Sequence, residues 1–126
     1  MQCSLKVYTR VNPTEDPEKV KKAITNIFKP GEMEIGSSHI TLHAGIDSLL
    51  KLKEDLEERK IRSCARSVMK VQGNKISFML SKQAALVDVV NLLESDSPLG
   101  ELEVEITTSD VEGLLDWLAP DIEDDY

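Results

Sequence analysis

RKIRSCARSVMKVQGNKISFMLSKQ, residues 59–83, decides how this chain folds and where its positive charge goes. Its apolar spacing changes once. Ile61, Cys64, Ala65 and Val68 recur at helical intervals, whereas Ile76, Phe78 and Leu80 alternate with Lys75, Ser77 and Met79. Gln72-Gly73-Asn74 lies between them as a turn. Upstream, Leu49, Leu52 and Leu56 form another stripe, and on an ideal wheel it points about 130° away from the stripe of 61–68. One straight helix cannot bury both. The spacing therefore predicts a break near Lys60 and two helices, over 47–59 and 62–70. On the second, Arg62, Arg66 and Lys70 stand four apart, opposite the apolar stripe.

The same segment holds Arg59, Lys60, Arg62, Arg66, Lys70, Lys75 and Lys82 and no Asp or Glu. All 15 Lys and Arg of the chain lie at or before Lys82, while 13 of the 23 acidic residues follow it. A protein with net charge −8 thus keeps one acid-free basic segment. Such a two-signed distribution speaks to partners and solubility rather than to fold.

Working outward, residues 3–11 alternate as a strand, with Cys3, Leu5, Val7, Thr9 and Val11 on one face. Asp16-Pro17 starts a helix with an acceptor at the cap and proline at the first turn, and Val20, Ile24, Ile27 and Phe28 form its stripe. Pro30-Gly31 ends it. Residues 32–45 read as extended, turning at Gly36-Ser37-Ser38, with His39, Thr41 and His43 on a half-exposed face. The two histidines lack a matching ligand set, so no metal is expected there. Ser81 to Ala85 reads as a turn with some helical character. Residues 86–94 fit both periods, and Val87, Val89 and Val90 tilt them to a strand. Residues 96–100 read as a loop. Glu101, Glu103 and Glu105 alternate with Leu102, Val104 and Ile106 in a further strand, and Ser109 or Asp110 caps a last helix that Pro120 stops. Trp117 is expected to anchor that helix by packing, with Asp116 partnering its N–H or a basic side chain.

The order β-α-β-α-α-β-β-β-α predicts a single α+β domain over 1–120, a mixed sheet with helices on one face, followed by an acidic tail over 121–126. No apolar run approaches the roughly 20 residues of a membrane helix, and no secretion signal is legible. Cys3 and Cys64 are expected as small buried residues of a reducing cytoplasm.

Several stretches, in one collinear order, resemble a known archaeal family of uncharacterised proteins described as RNA-binding. They are NPTEDPEKVKKAITNIF (12–28), RSCARSVMKVQGN (62–74), FMLSKQAALV (78–87), SPLGELEVEI (97–106) and DWLAP (116–120). The resemblance implies a fold like that of the ribosomal protein that binds 5S ribosomal RNA. It implies no catalytic residues.

The residues read on their own point the same way. Lys and Arg neutralise phosphates, and Arg62 and Arg66 suit bidentate phosphate bonding. The candidate nucleic-acid contacts are Arg59, Lys60, Arg62, Arg66, Lys70, Lys75, Lys82 and Gln83. Aromatic residues are 4% of the chain and show no paired stacking pattern, so structured RNA, recognised through shape and backbone, is the expected partner. The alternative is a protein-interaction or homodimer module in which the acidic C-terminal segment of one chain meets the basic helix of another. The glutamate row could hold Mg²⁺ in a nuclease-like site, but like charges on a strand are more often a solvated or edge-protecting face. No Ser-His-Asp set, phosphate loop or Cys-x-x-Cys occurs, so neither an enzyme, a cofactor nor a small-molecule substrate is expected.

Overall fold

A computed structural model of the protein describes residues 3–28, 31–94 and 100–120. The expected acidic tail at 121–126, Pro30 and most of the expected loop at 96–100 lie outside the described residues.

Thirteen elements follow one another. They are β1 (Cys3–Arg10), α1 (Pro17–Ile27), β2 (Glu32–Ile35), β3 (His39–Ala44), a 3-10 turn (Ile46–Leu49), α2 (Leu50–Glu58), α3 (Arg62–Val68), β4 (Lys70–Gln72), β5 (Lys75–Ser81), α4 (Lys82–Leu86), β6 (Leu92–Leu93), β7 (Glu101–Thr108) and α5 (Val111–Leu118). The sheet runs β2-β3-β1-β7-β5-β4, with β6 also on β5, and every pairing is antiparallel where a mixed sheet was expected.

Local chemistry accounts for the helix ends. Asp16 accepts from the Glu18 N–H at 3.0 Å and Pro17 occupies the first turn of α1. Ser81 caps α4 and Asp110 caps α5 through the Gly113 N–H at 3.0 Å. The expected break falls on Lys60, whose φ of 56° turns the chain left-handed between α2 and α3. A lysine there is strained, because its Cβ crowds the following carbonyl. Lys60→Gly should therefore raise the unfolding free energy by about 0.5–1 kcal/mol, read as a higher urea midpoint with unchanged slope.

Two expectations need correction. The helix after Lys60 ends at Val68, so Lys70 is not its last outward residue but the first residue of β4, paired with Ser77. The strand expected over 86–94 shrinks to Leu92–Leu93. Helix α4 instead runs to Leu86, and Asn26 of α1 donates to the carbonyls of Ala85 and Leu86 at 2.9 and 3.1 Å. The Leu86 carbonyl is one that a helix end leaves open, whereas the Ala85 carbonyl also accepts from the Asp88 N–H at 3.0 Å. Val87 is then left 69% exposed, which is why three valines did not make a strand.

One face of the sheet is covered. Leu5, Val7, Ile40, Leu42, Ile76, Phe78, Leu80, Leu102, Val104 and Ile106 meet Ile24, Ile27, Phe28, Leu52, Leu56, Leu114 and Leu118 in a continuous core. The opposite face carries Lys6, Tyr8, Ser77, Met79, Glu103 and Glu105 and is bordered by Val68 at the end of α3. Cys3 is half-buried, and burial pushes its thiol pKa up; Cys64 is exposed, against expectation.

Candidate nucleic-acid interface

The acid-free segment folds as α3, the β4–β5 hairpin and the start of α4; β4 is an edge strand, whereas β5 lies inside the sheet beside β7 and the start of α4 meets Glu15. Its cations do not share one fate. Arg66 reaches across to α5, with Nη1 3.1 Å from Asp116 Oδ1 and 3.3 Å from the Ala119 carbonyl, and Nη2 3.7 Å from Glu112 Oε2. Asp116 thus partners a basic side chain, as one of its two expected roles required, while Lys53 sits 5.6 Å over the Trp117 ring. Arg59 donates to the Val90 carbonyl. Lys75 pairs with Glu105 at 3.2 Å on the open face.

Lys82 is interior. Only 6% exposed, its ammonium donates to the Arg10 carbonyl at 2.6 Å and to both Glu15 carboxylate oxygens at 3.1 and 3.2 Å. Gly100 lies against its stem, where a Cβ would come within 3.1 Å of Lys82 Cε, and holds a φ of 95° that side chains rarely adopt.

The outward ridge expected from the helical spacing is therefore not continuous. Lys60, Lys70 and Gln83 stand exposed, Arg62 is half-buried with bonds of its own, and Arg59, Arg66, Lys75 and Lys82 hold protein groups. Arg66 ties α3 to α5 through carboxylates that are themselves largely solvated, which discounts the pair. Arg66→Ala should cost about 1 kcal/mol in denaturant unfolding and leave any surface contact at Lys60 and Lys70 intact.

Sequence reasoning missed two features. Lys6 and Arg10 bring positive charge to the open face from β1, outside the acid-free segment. The glutamate row is not an edge. Strand β7 lies between β1 and β5, so Glu103 faces Tyr8 on one side and Met79 on the other, and Glu105 faces Lys6 and Ser77. Among the described residues no group of three or more His, Cys, Asp or Glu is placed to hold a metal ion. His43 lies 3.6 Å from Glu34, and His39 stacks on Tyr8 with ring centroids 5.7 Å apart. No helix among the described residues is long and apolar enough to cross a membrane.

Residues 4–109 match the family model described as RNA binding. A UPF0201 protein of Methanothermobacter thermautotrophicus is 45% identical over 121 residues, covering 94% of this chain and 92% of the relative. The chain belongs to this family. Solved structures agree. A crystal structure of an uncharacterized UPF0201 protein matches with a TM-score of 0.86 at 29% identity, over 97% of both chains. The UPF0201 protein from Methanococcus jannaschii matches with a TM-score of 0.81 at 31% identity, over 95% of both. The UPF0201 match extends over the open sheet face and the basic edge alike, since both lie within the covered span. The family description is RNA binding and assigns no catalytic role.

Proposed function

We propose that this UPF0201 protein is a non-enzymatic RNA-binding module that grips the backbone of structured RNA along its α3–β4 edge. One observation carries the reading: the segment without a single acidic residue supplies the edge strand β4 and the helix α3 that leads into it, in a chain whose family model is described as RNA binding. Lys60 at the α2–α3 turn, Arg62 on α3 and Lys70 on β4 are the proposed phosphate contacts, with Lys75 at the hairpin tip and Gln83 on α4 as a polar neighbour. Gly73, at a φ of 62°, makes the tight turn that carries Lys75 back beside β4. Arg59, Arg66 and Lys82, held by the Val90 carbonyl, by α5 and by Arg10 with Glu15, are not among the proposed contacts.

Few phosphates are reached, so binding should be weak and strongly salt-dependent. With three or four contacts, log K against log salt should fall with a slope of about −3 for a structured RNA. Gel shifts with an RNA hairpin at low and moderate salt measure this. No complex at the lower salt removes the reading.

A second reading, self-association, is supported by the two sheet edges. Strand β2 presents Glu32 and Glu34 beside Ile35, 56% exposed, and β4 presents Lys70 beside Val71, 50% exposed. Opposite charges on unpaired strands favour pairing between copies. Light scattering that gives a monomer at low and high salt alike counts against it.

A further inference from the structure

On the open face of the sheet, two cross-strand rows form a groove of about 480 Å³. One row is Lys6, Glu105, Ser77 and Lys70, across β1, β7, β5 and β4. The next is Tyr8, Glu103, Met79 and Leu93, across β1, β7, β5 and β6. Adjacent strands are about 4.8 Å apart, so each row spans roughly 14 Å. That volume falls within the range of small-molecule sites.

The groove divides by chemistry. The second row offers the Tyr8 ring as a stacking floor, with the Met79 thioether beyond Glu103. His39 covers one face of the Tyr8 ring and does not line the groove, so the other face is the one turned into it. Glu105 is held by Lys75 at 3.2 Å. Glu103, Lys6 and Lys70 are exposed and have no hydrogen-bond or ion-pair partner among the described residues. The site thus presents an aromatic face, the uncommitted carboxylate of Glu103 beside it, a second one, Glu94, at the β6 end, and two uncommitted ammonium groups at the ends of the neighbouring row.

We propose that this groove binds one guanine nucleotide. The base stacks on Tyr8 with its pairing edge toward Glu103 on the neighbouring strand and Met79 beyond it, and the phosphate is held by Lys6 and Lys70. Glu103 supplies the selectivity. A carboxylate only accepts hydrogen bonds, and guanine alone among the bases presents two adjacent donors, N1–H and the 2-amino group, on its pairing edge. Adenine, cytosine and uracil place an acceptor beside their donor, and that acceptor would face the carboxylate. The carboxylates on this face, which oppose a phosphate backbone, thereby become the reader of an unstacked base. The inference takes its ligand class from the RNA-binding reading. The same chemistry is carried by a free mononucleotide or by one unpaired guanosine in an RNA loop.

Titration of the full chain with GMP, guanosine, IMP and AMP, followed by amide chemical shifts, tests it. GMP should saturate with shifts confined to the groove strands β1, β7, β5, β4 and β6, and IMP, which lacks the 2-amino group, should bind about tenfold more weakly. Tyr8→Ala should abolish saturation, and Lys6→Ala with Lys70→Ala should bring GMP down to guanosine. Glu103→Gln should keep its melting temperature and lose the preference for GMP over AMP. Competition by a hairpin RNA with one unpaired loop guanosine assigns the ligand to RNA, and its absence assigns it to the mononucleotide. No saturable GMP binding up to about 10 mM, or an unchanged preference in Glu103→Gln, overturns the proposal. Lys70 serves both surfaces, so the readings are separated by residues that only one of them uses: Lys60→Glu in the gel shift for the α3–β4 edge, and Tyr8→Ala and Glu103→Gln in the GMP titration for the groove.

Discussion

Lys82→Ala should lower the stability of the protein by about 3 kcal/mol, a fall in Tm of about 10 °C. The ammonium ties together the end of β1 through the Arg10 carbonyl and the segment before α1 through Glu15, while its backbone N–H donates to the Gly100 carbonyl ahead of β7 at 3.3 Å. Removing it leaves a cavity, an orphaned carbonyl and a carboxylate in a site it cannot leave. Glu15 retains 26% side-chain exposure, so water compensates part of the loss and the figure sits at the lower end for a broken buried pair. Lys82→Met keeps the stem packed against Gly100 and should lose about 2 kcal/mol. Glu15→Gln keeps an acceptor for the Asn12 N–H, bonded at 2.9 Å, and should lose only about 1 kcal/mol. Urea unfolding of the three variants checks the ranking. Equal stability of Lys82→Ala and the wild type would show that the ammonium is solvated.

The second large effect is on binding. Lys60→Glu combined with Lys70→Glu should weaken binding of a hairpin RNA at low salt by at least about tenfold and flatten the salt slope by about two contacts. Both side chains are exposed, so the unfolding midpoint should stay within about 0.5 kcal/mol of wild type. The pairing of Arg62→Glu with Arg66→Glu, which helical spacing suggests first, is the wrong test. Arg66 holds Asp116 and Glu112, and reversing it sets three carboxylates together at the α3–α5 junction. A loss of binding there would not separate RNA contact from unfolding. An unchanged gel shift in the Lys60/Lys70 variant removes the α3–β4 edge from the proposed interface.

Much of this was written in the periodicity. The wheel argument located the turn at Lys60 because two apolar stripes cannot face one core from one rod, and the positive φ falls on that residue. Strand faces were readable wherever alternation was clean, in β1, β5 and β7. What failed was the treatment of charge. Lys82 continues the inward parity of Ile76, Phe78 and Leu80, so the pattern already pointed it into the core. A lysine is costly to bury, and its partners Arg10 and Glu15 lie about 70 residues upstream, so no local window could show that the cost is met. Arg66 was hidden in the same way, its carboxylates being supplied by α5. Lys70 was misplaced for a local reason. A spacing of four fits a helix, but Met69 turns extended, with ψ at 128°, and the next residues pair with β5. The open face itself was invisible, since which strands are neighbours follows from topology and not from spacing.

The position of β7 has a consequence for how the molecule is made. Strands β2, β3 and β1 can pair from the first third of the chain, and β4, β5 and β6 from a later portion, yet the two groups join into one sheet only when β7 slots between β1 and β5. At ordinary translation speeds, the N-terminal hairpin waits roughly 3–13 s for that last strand to emerge. During this interval the inner border of β1 is an open template. Joining the ends of the chain is a high-contact-order event, so it should set the refolding rate.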